Sequence, residues 1–138
     1  MERAVSNLLA SIDTRHLICL LALAIACNPA VLQARTCESL LELAAPMASI
    51  TVAKTVETVA FTPTASSETL RGLPSFCRVI LKLSPSADSD IGVEIWLPTS
   101  GWNGKFRAVG SGGWGGAINY DALADGLRRG YAASATDD

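Results

Sequence analysis

The feature that most constrains the fold is a run of seven residues, 110–116 (GSGGWGG), of which five are glycine. Glycine lacks a Cβ and enters backbone conformations closed to other residues, so this run cannot extend a strand or a helix. It forces a tight loop between its neighbours. Before it, residues 106–109 (FRAV) read as a short strand. After it, the pattern predicts a helix over about residues 119–129. Asn119 can cap that helix, Leu123 and Leu127 share one face, Arg128 and Arg129 complement its C-terminal dipole, and Gly130 ends it. Residues 131–136 (YAASAT) then read as a strand of small residues suited to close packing under helices. Strand, helix and strand in this order imply a parallel pair with a right-handed crossover.

Upstream lies a hairpin. Residues 76–83 (FCRVILKL) read as a strand, and residues 84–90 (SPSADSD) as turn chemistry. In residues 91–97, Ile91, Val93, Ile95 and Leu97 alternate with Gly92, Glu94 and Trp96, the period of a half-buried strand. On that pattern Glu94 points away from the apolar face and is expected to be exposed. Residues 98–105 (PTSGWNGK) form a second turn, hinged at Gly101 and Gly104. Residues 36–45 are predicted as a short helix with Leu40, Leu41 and Leu43 as its stripe, stopped by Pro46. Residues 50–61 suit a strand or an irregular extended stretch, and residues 62–74 a loop. The class is α/β, with a mixed sheet that is incomplete, covered by helices on one face and open at its edges. Such a piece should be marginal or sticky.

The N-terminus reads differently. Leu17 to Cys27 (LICLLALAIAC) is an uncharged apolar run, shorter than the about 20 residues of a transmembrane helix. Arg3 and Arg15 precede it and small residues follow, as in an export signal cleaved near Ala34. The division is then 1–34 signal peptide and 35–138 mature chain, with a secreted or periplasmic destination and no membrane span after cleavage. A buried helix is one alternative, and a lipoprotein acylated at Cys27 is another. Removing the signal leaves Cys37 and Cys77, an even pair that an oxidising compartment would join. Two buried free thiols are the other possibility. No metal motif accompanies them.

Charge narrows the partners. Eleven basic side chains face thirteen acidic ones, which makes the chain a poor polyanion binder and excludes nucleic acid as a natural partner. The single histidine is His16, so residues 35–138 have no imidazole for acid–base work. The glycine run has three readings. No Lys-Ser or Lys-Thr follows, so it is not a Walker A loop. Gly110, Gly112 and Gly115 meet the dinucleotide spacing G-x-G-x-x-G, without a well-placed acidic residue beyond Asp137. An oxyanion loop after the third strand of an α/β-hydrolase fits the position. A tight loop with no ligand is the third.

Residues 73–137 resemble the tannase and feruloyl esterase family of secreted α/β-hydrolases. The carrying segments are LPSFCRV, PSADSDIGVEIWLP, GWNGKFRAVGSGGWGG and GYAASATD, together with the Cys-Glu-Ser-Leu start at Cys37. The resemblance implies an α/β-hydrolase-type sheet with N-terminal hairpin, third strand, oxyanion loop, first helix and fourth strand. It implies hydrolysis of aromatic (feruloyl or galloyl) esters by a Ser-His-Asp triad. It also implies a lid domain carrying calcium and much of the acid pocket. None of the triad segments is in this chain, and Ser111 lies before the helix rather than on a strand-to-helix elbow. The family continues past Thr-Asp with Gly-His, whereas this chain ends in a second Asp. By the resemblance, Gly112, Gly113 and Trp114 match the loop whose backbone faces the ester oxyanion, with Gly113 the first choice. Cys37 and Cys77 match the family's N-terminal cysteines. Trp96, Trp102 and Trp114 are expected to pack, and Asp121 and Asp125 to form a solvated helix face. The expectation is the N-terminal part of such an esterase, inactive alone. A small disulfide-stapled binding module or the relic of a truncated gene are the alternatives.

Overall fold

The computed structural model describes residues 35–57, 60–113 and 115–138. The proposed signal segment 1–34 and Trp114 lie outside them. Among the described residues, seven strands and one α-helix follow in chain order: β1 (Ala48–Val56), β2 (Ala60–Phe61), β3 (Leu70–Arg71), β4 (Phe76–Leu83), β5 (Ile91–Pro98), β6 (Phe106–Val109), α1 (Tyr120–Arg128) and β7 (Ala132–Thr136). A five-stranded sheet has the order β1-β4-β5-β7-β6. β4 and β5 form the expected antiparallel hairpin, with Arg78 opposite Trp96 and Leu83 opposite Ile91. β7 is antiparallel to β5 and parallel to β6. The strand–helix–strand unit therefore closes as its glycine run demanded.

α1 forms where its signals placed it. The Asn119 side chain accepts from the Ala122 N–H at 3.0 Å. Past Arg129 the chain turns at Gly130, φ +76°, and the Gly130 N–H donates to the Leu127 carbonyl at 2.9 Å. Leu123, Ala124 and Leu127 then face Phe76, Trp96, Ala133 and Ala135 to make the core. Gly126 is the point of closest approach, because a Cβ there would lie 3.1 Å from that of Ala133. β2 ends the stretch expected to be extended, β3 lies within what the sequence suggested was plain loop, and their Phe61 and Leu70 join the same core.

Two expectations fail. The helix expected over residues 36–45 is only a 3-10 turn, Glu38–Glu42, and Leu43 is already extended. Leu41 and Leu43 are exposed, so no apolar surface rewards a longer helix. Pro46 and Met47, the latter at φ +60°, make the turn into β1, with the Ala48 N–H donating to the Ala45 carbonyl. β1 then runs antiparallel to β4 as the far edge of the sheet. The second failure is Glu94, which is 3% exposed rather than solvated. The face of β5 that carries Gly92, Glu94 and Trp96 is the one that α1 covers. The opposite face holds Val79 and Val93 but is only partly shielded.

The Cys37–Cys77 disulfide exists, with Cα atoms 5.5 Å apart across 40 positions. It ties the 3-10 turn to β4. Glu38 reinforces the join, accepting from both the Thr55 N–H and its hydroxyl at 3.0 Å. The Thr55 N–H bond leads the effects that hold the Glu38 carboxyl below its ordinary pKa.

Candidate functional site

The glycine-rich loop leaves the carboxyl end of β6 and delivers the chain to α1. Gly112, Gly113 and Gly116 adopt φ of +76°, +58° and +54°. A Cβ at Gly112 or Gly113 would meet nothing within 4 Å, so these positions need glycine for backbone conformation and the space over them is open. The Gly115 N–H closes the turn on the Gly112 carbonyl at 3.2 Å. The Ser111 hydroxyl donates to the Asp138 carbonyl at 3.1 Å, holding the loop against the exit of β7.

Asp137 fixes that exit to β5. Its carboxylate accepts from the Gly92 N–H at 2.7 Å, and its own N–H donates to the Gly92 carbonyl at 3.1 Å. A cavity of about 450 Å³ opens beside it, lined among others by Leu70, Gly116, Asn119, Tyr120 and Asp137. It lies where ligands of open α/β sheets bind, outside the carboxyl ends of parallel strands.

Tyr120, which lines this cavity, also belongs to a buried polar cluster that the sequence did not suggest. Glu94 accepts from Arg78 Nε at 2.6 Å and Arg78 Nη2 at 3.1 Å. It also accepts from Trp96 Nε1 at 2.7 Å and the Tyr120 hydroxyl at 3.1 Å. Burial alone would weaken the Arg78 charge, but the Glu94 bonds and charge outweigh it and raise its pKa. Burial, then the Glu94 charge, push the Tyr120 hydroxyl up to about 12. The clue was available: an indole N–H on a covered strand needs an acceptor, and Glu94 stands two residues away on the same face.

The expected residues thus fall into three groups. Gly112 and Gly113 sit together in the open loop, and Trp114 lies outside the described residues. Trp96 packs, as expected, at 0% exposure. Trp102 does not. It is 60% exposed and spends its N–H on the Lys105 carbonyl. Asp121 is solvated, while Asp125 is paired with Arg107 at 2.7 Å and Arg129 at 3.0 Å. The Arg107 bond leads the effects that lower its pKa. Among the described residues no group of three or more His, Cys, Asp or Glu is placed to hold a metal, so the implied calcium has no ligand set on them. No helix among them is long and apolar enough to cross a membrane.

A mixed sheet with β5 antiparallel to both its neighbours, a glycine loop between β6 and α1, and a parallel β6–β7 pair bridged by a covering helix fits the α/β-hydrolase type. Known proteins agree. The crystal structure of feruloyl esterase B from Aspergillus oryzae superposes with a TM-score of 0.66 at 28% identity, over 73% of this chain and 20% of that one. An uncharacterized esterase of Xanthomonas campestris pv. campestris is 43% identical over 101 residues, which is 73% of this chain and 17% of the relative. A probable feruloyl esterase B-1 of A. oryzae is 40% identical over 63 residues, 46% of this chain and 12% of the relative. Residues 77–138 match the family model described as tannase and feruloyl esterase. The chain belongs, through this segment, to the tannase and feruloyl esterase family. It spans about a fifth or less of the length of these relatives.

Proposed function

We propose that this chain supplies the oxyanion-binding side of a secreted or periplasmic hydrolase of aromatic carboxylic esters. The observation that carries the reading is the left-handed pair Gly112–Gly113, exposed past the carboxyl end of β6 in a loop whose last glycine, Gly116, lines a cavity at the approach to α1. Backbone N–H groups at such a place suit the negative oxygen that develops as an ester is attacked. The related feruloyl esterases carry the substrate class. The Cys37–Cys77 disulfide supports an oxidising compartment.

The chain's own residues do not complete the chemistry. Ester attack by a serine needs a base to take its proton. Residues 35–138 hold no histidine, and the Ser111 hydroxyl is committed to a carbonyl. On this reading nucleophile and base come from further sequence of the kind the longer relatives possess. The 138-residue chain should then release no chromophore from a feruloyl or short-chain ester above a boiled control. In a longer form that does turn over, Gly113→Pro deletes one N–H and should lower kcat by about 10²–10³ with a much smaller change in KM. Turnover by the short chain, or a Gly113→Pro enzyme with unaltered kcat, would refute the assignment.

A further inference from the structure

We propose that Glu94 and Tyr120 form a positioning pair that ties the glycine-rich loop and the start of α1 to the centre of the sheet. Most of the loop has no side chain with which to anchor itself. At its upstream end it is held by the Ser111 bond to Asp138. Downstream, the first helical residue is Tyr120, four positions past Gly116. Its ring lies 6.3 Å from that of Trp96, and its hydroxyl donates to Glu94.

The four bonds to Glu94 are not equivalent. Arg78 on β4 and Trp96 on β5 supply three of them, all within the sheet. They fix the carboxylate. Tyr120 supplies the fourth, and it alone of the four comes from α1. Two further polar bonds join α1 to strands, Asp125 to Arg107 of β6 at 2.7 Å and Arg128 to the Arg71 carbonyl of β3 at 2.6 Å, and both lie in the second half of the helix. The contacts through Leu123, Leu127 and Gly126 are apolar and non-directional. At the end nearest the loop, the Tyr120 bond to a fixed acceptor is the directional contact that sets the position of the helix. Stability alone does not account for the cluster, because apolar residues of like volume are often as stabilising as a buried ion pair. A fully satisfied buried network specifies geometry instead. The raised pKa of Tyr120 keeps the hydroxyl a donor across the neutral range.

The positioning itself stands on geometry. Its effect on turnover rests on the oxyanion reading above. The test uses ¹H–¹⁵N spectra and melting curves of the 138-residue chain with three substitutions. Tyr120→Phe keeps the ring and removes the bond. It should shift and broaden the amide signals of Gly112, Gly113, Gly115 and Gly116 while the β4 and β5 signals stay in place. Glu94→Gln should move the same glycine signals in the same direction. Leu123→Ala lowers the melting temperature without touching the bond and should leave them where they are. Glycine signals that ignore Tyr120→Phe, or that follow Leu123→Ala equally, overturn the proposal. In an ester-hydrolysing longer form, Tyr120→Phe should cut kcat about tenfold or more with KM within about twofold. Shifted glycines with unchanged kcat would keep the positioning and remove the oxyanion role.

Discussion

The two faces of β5 contradict their own hydropathy. One carries Ile91, Val93, Ile95 and Leu97, and the other Gly92, Glu94 and Trp96. The first looks like the interior, yet Ile91, Ile95 and Leu97 remain partly exposed. The second holds a charge, yet Trp96 and Glu94 are 0% and 3% exposed. Alternation along a strand defines two faces but does not say which is covered. The next element decides that. The β6–α1–β7 unit lays Leu123 and Leu127 over Trp96, and the charge of Glu94 is met by Arg78, Trp96 and Tyr120. Apolar residues on the other face await no described element beyond the disulfide-tied 3-10 turn at its end.

The contrast places the largest loss on the covered face. Trp96→Ala removes the largest fully buried side chain and the donor to Glu94, and should cost about 3–5 kcal/mol in urea unfolding. A cost near that of a surface substitution would mean α1 does not pack as described. The disulfide comes next, since Cys77 lies on the opposite face of β4. Replacing Cys37 and Cys77 together by Ala should cost about 2–4 kcal/mol, because the cross-link closes a 40-residue separation. Insensitivity of the melting temperature to a reductant would say that this end of the sheet is already held by Glu38 and Thr55.

How much of this was legible follows from how local each cause is. The hairpin was readable to within a residue, because alternation and a polar turn are properties of adjacent positions. So were the glycine loop, the Asn119 cap and the Gly130 stop. The burial of Glu94 was not. It depends on the register that sets Arg78 opposite Trp96 and on a helix residue 26 positions away. The 3-10 turn was misread because residues between Cys37 and Pro46 are few, and Leu41 and Leu43 find nothing to cover. The site divides along the same line. Gly112 and Gly113 were visible as a motif, whereas the Glu94 cluster exists only once three elements, β4, β5 and α1, meet.

Smaller changes probe the borders of the covered face. A Cβ on Gly92 would lie 2.5 Å from the Asp137 carboxylate, so Gly92→Ala should cost about 1–2 kcal/mol by displacing that bond. The double variant Gly92→Ala with Asp137→Ala should be no less stable than Asp137→Ala alone. A strictly additive result would place the clash elsewhere. Alkali gives a further check. The folded-state pKa of Tyr120 is raised to about 12, above that of an unfolded tyrosine near 10. Its contribution is therefore fully present below about pH 10 and is lost as pH rises toward 12. Tyr120→Phe should flatten the fall in melting temperature across that window. An unchanged slope would show that the hydroxyl is solvated.

The smallest effect should come from the face that looks most apolar. Ile95 lies at the centre of β5, opposite Val79 and Ser134, with only partial cover. Ile95→Thr keeps the β-branched shape that a strand favours and exchanges the ethyl branch of a partly exposed side chain for a hydroxyl that water can reach. It should change stability by less than about 1 kcal/mol, since only already-buried area is lost. It should also weaken binding of an environment-sensitive apolar dye and slow aggregation, because it removes apolar area from a partly exposed position. Both readouts belong on the same sample as Trp96→Ala. Should Ile95→Thr cost as much as Trp96→Ala, the second face is covered in solution, and the strand has two interiors rather than one.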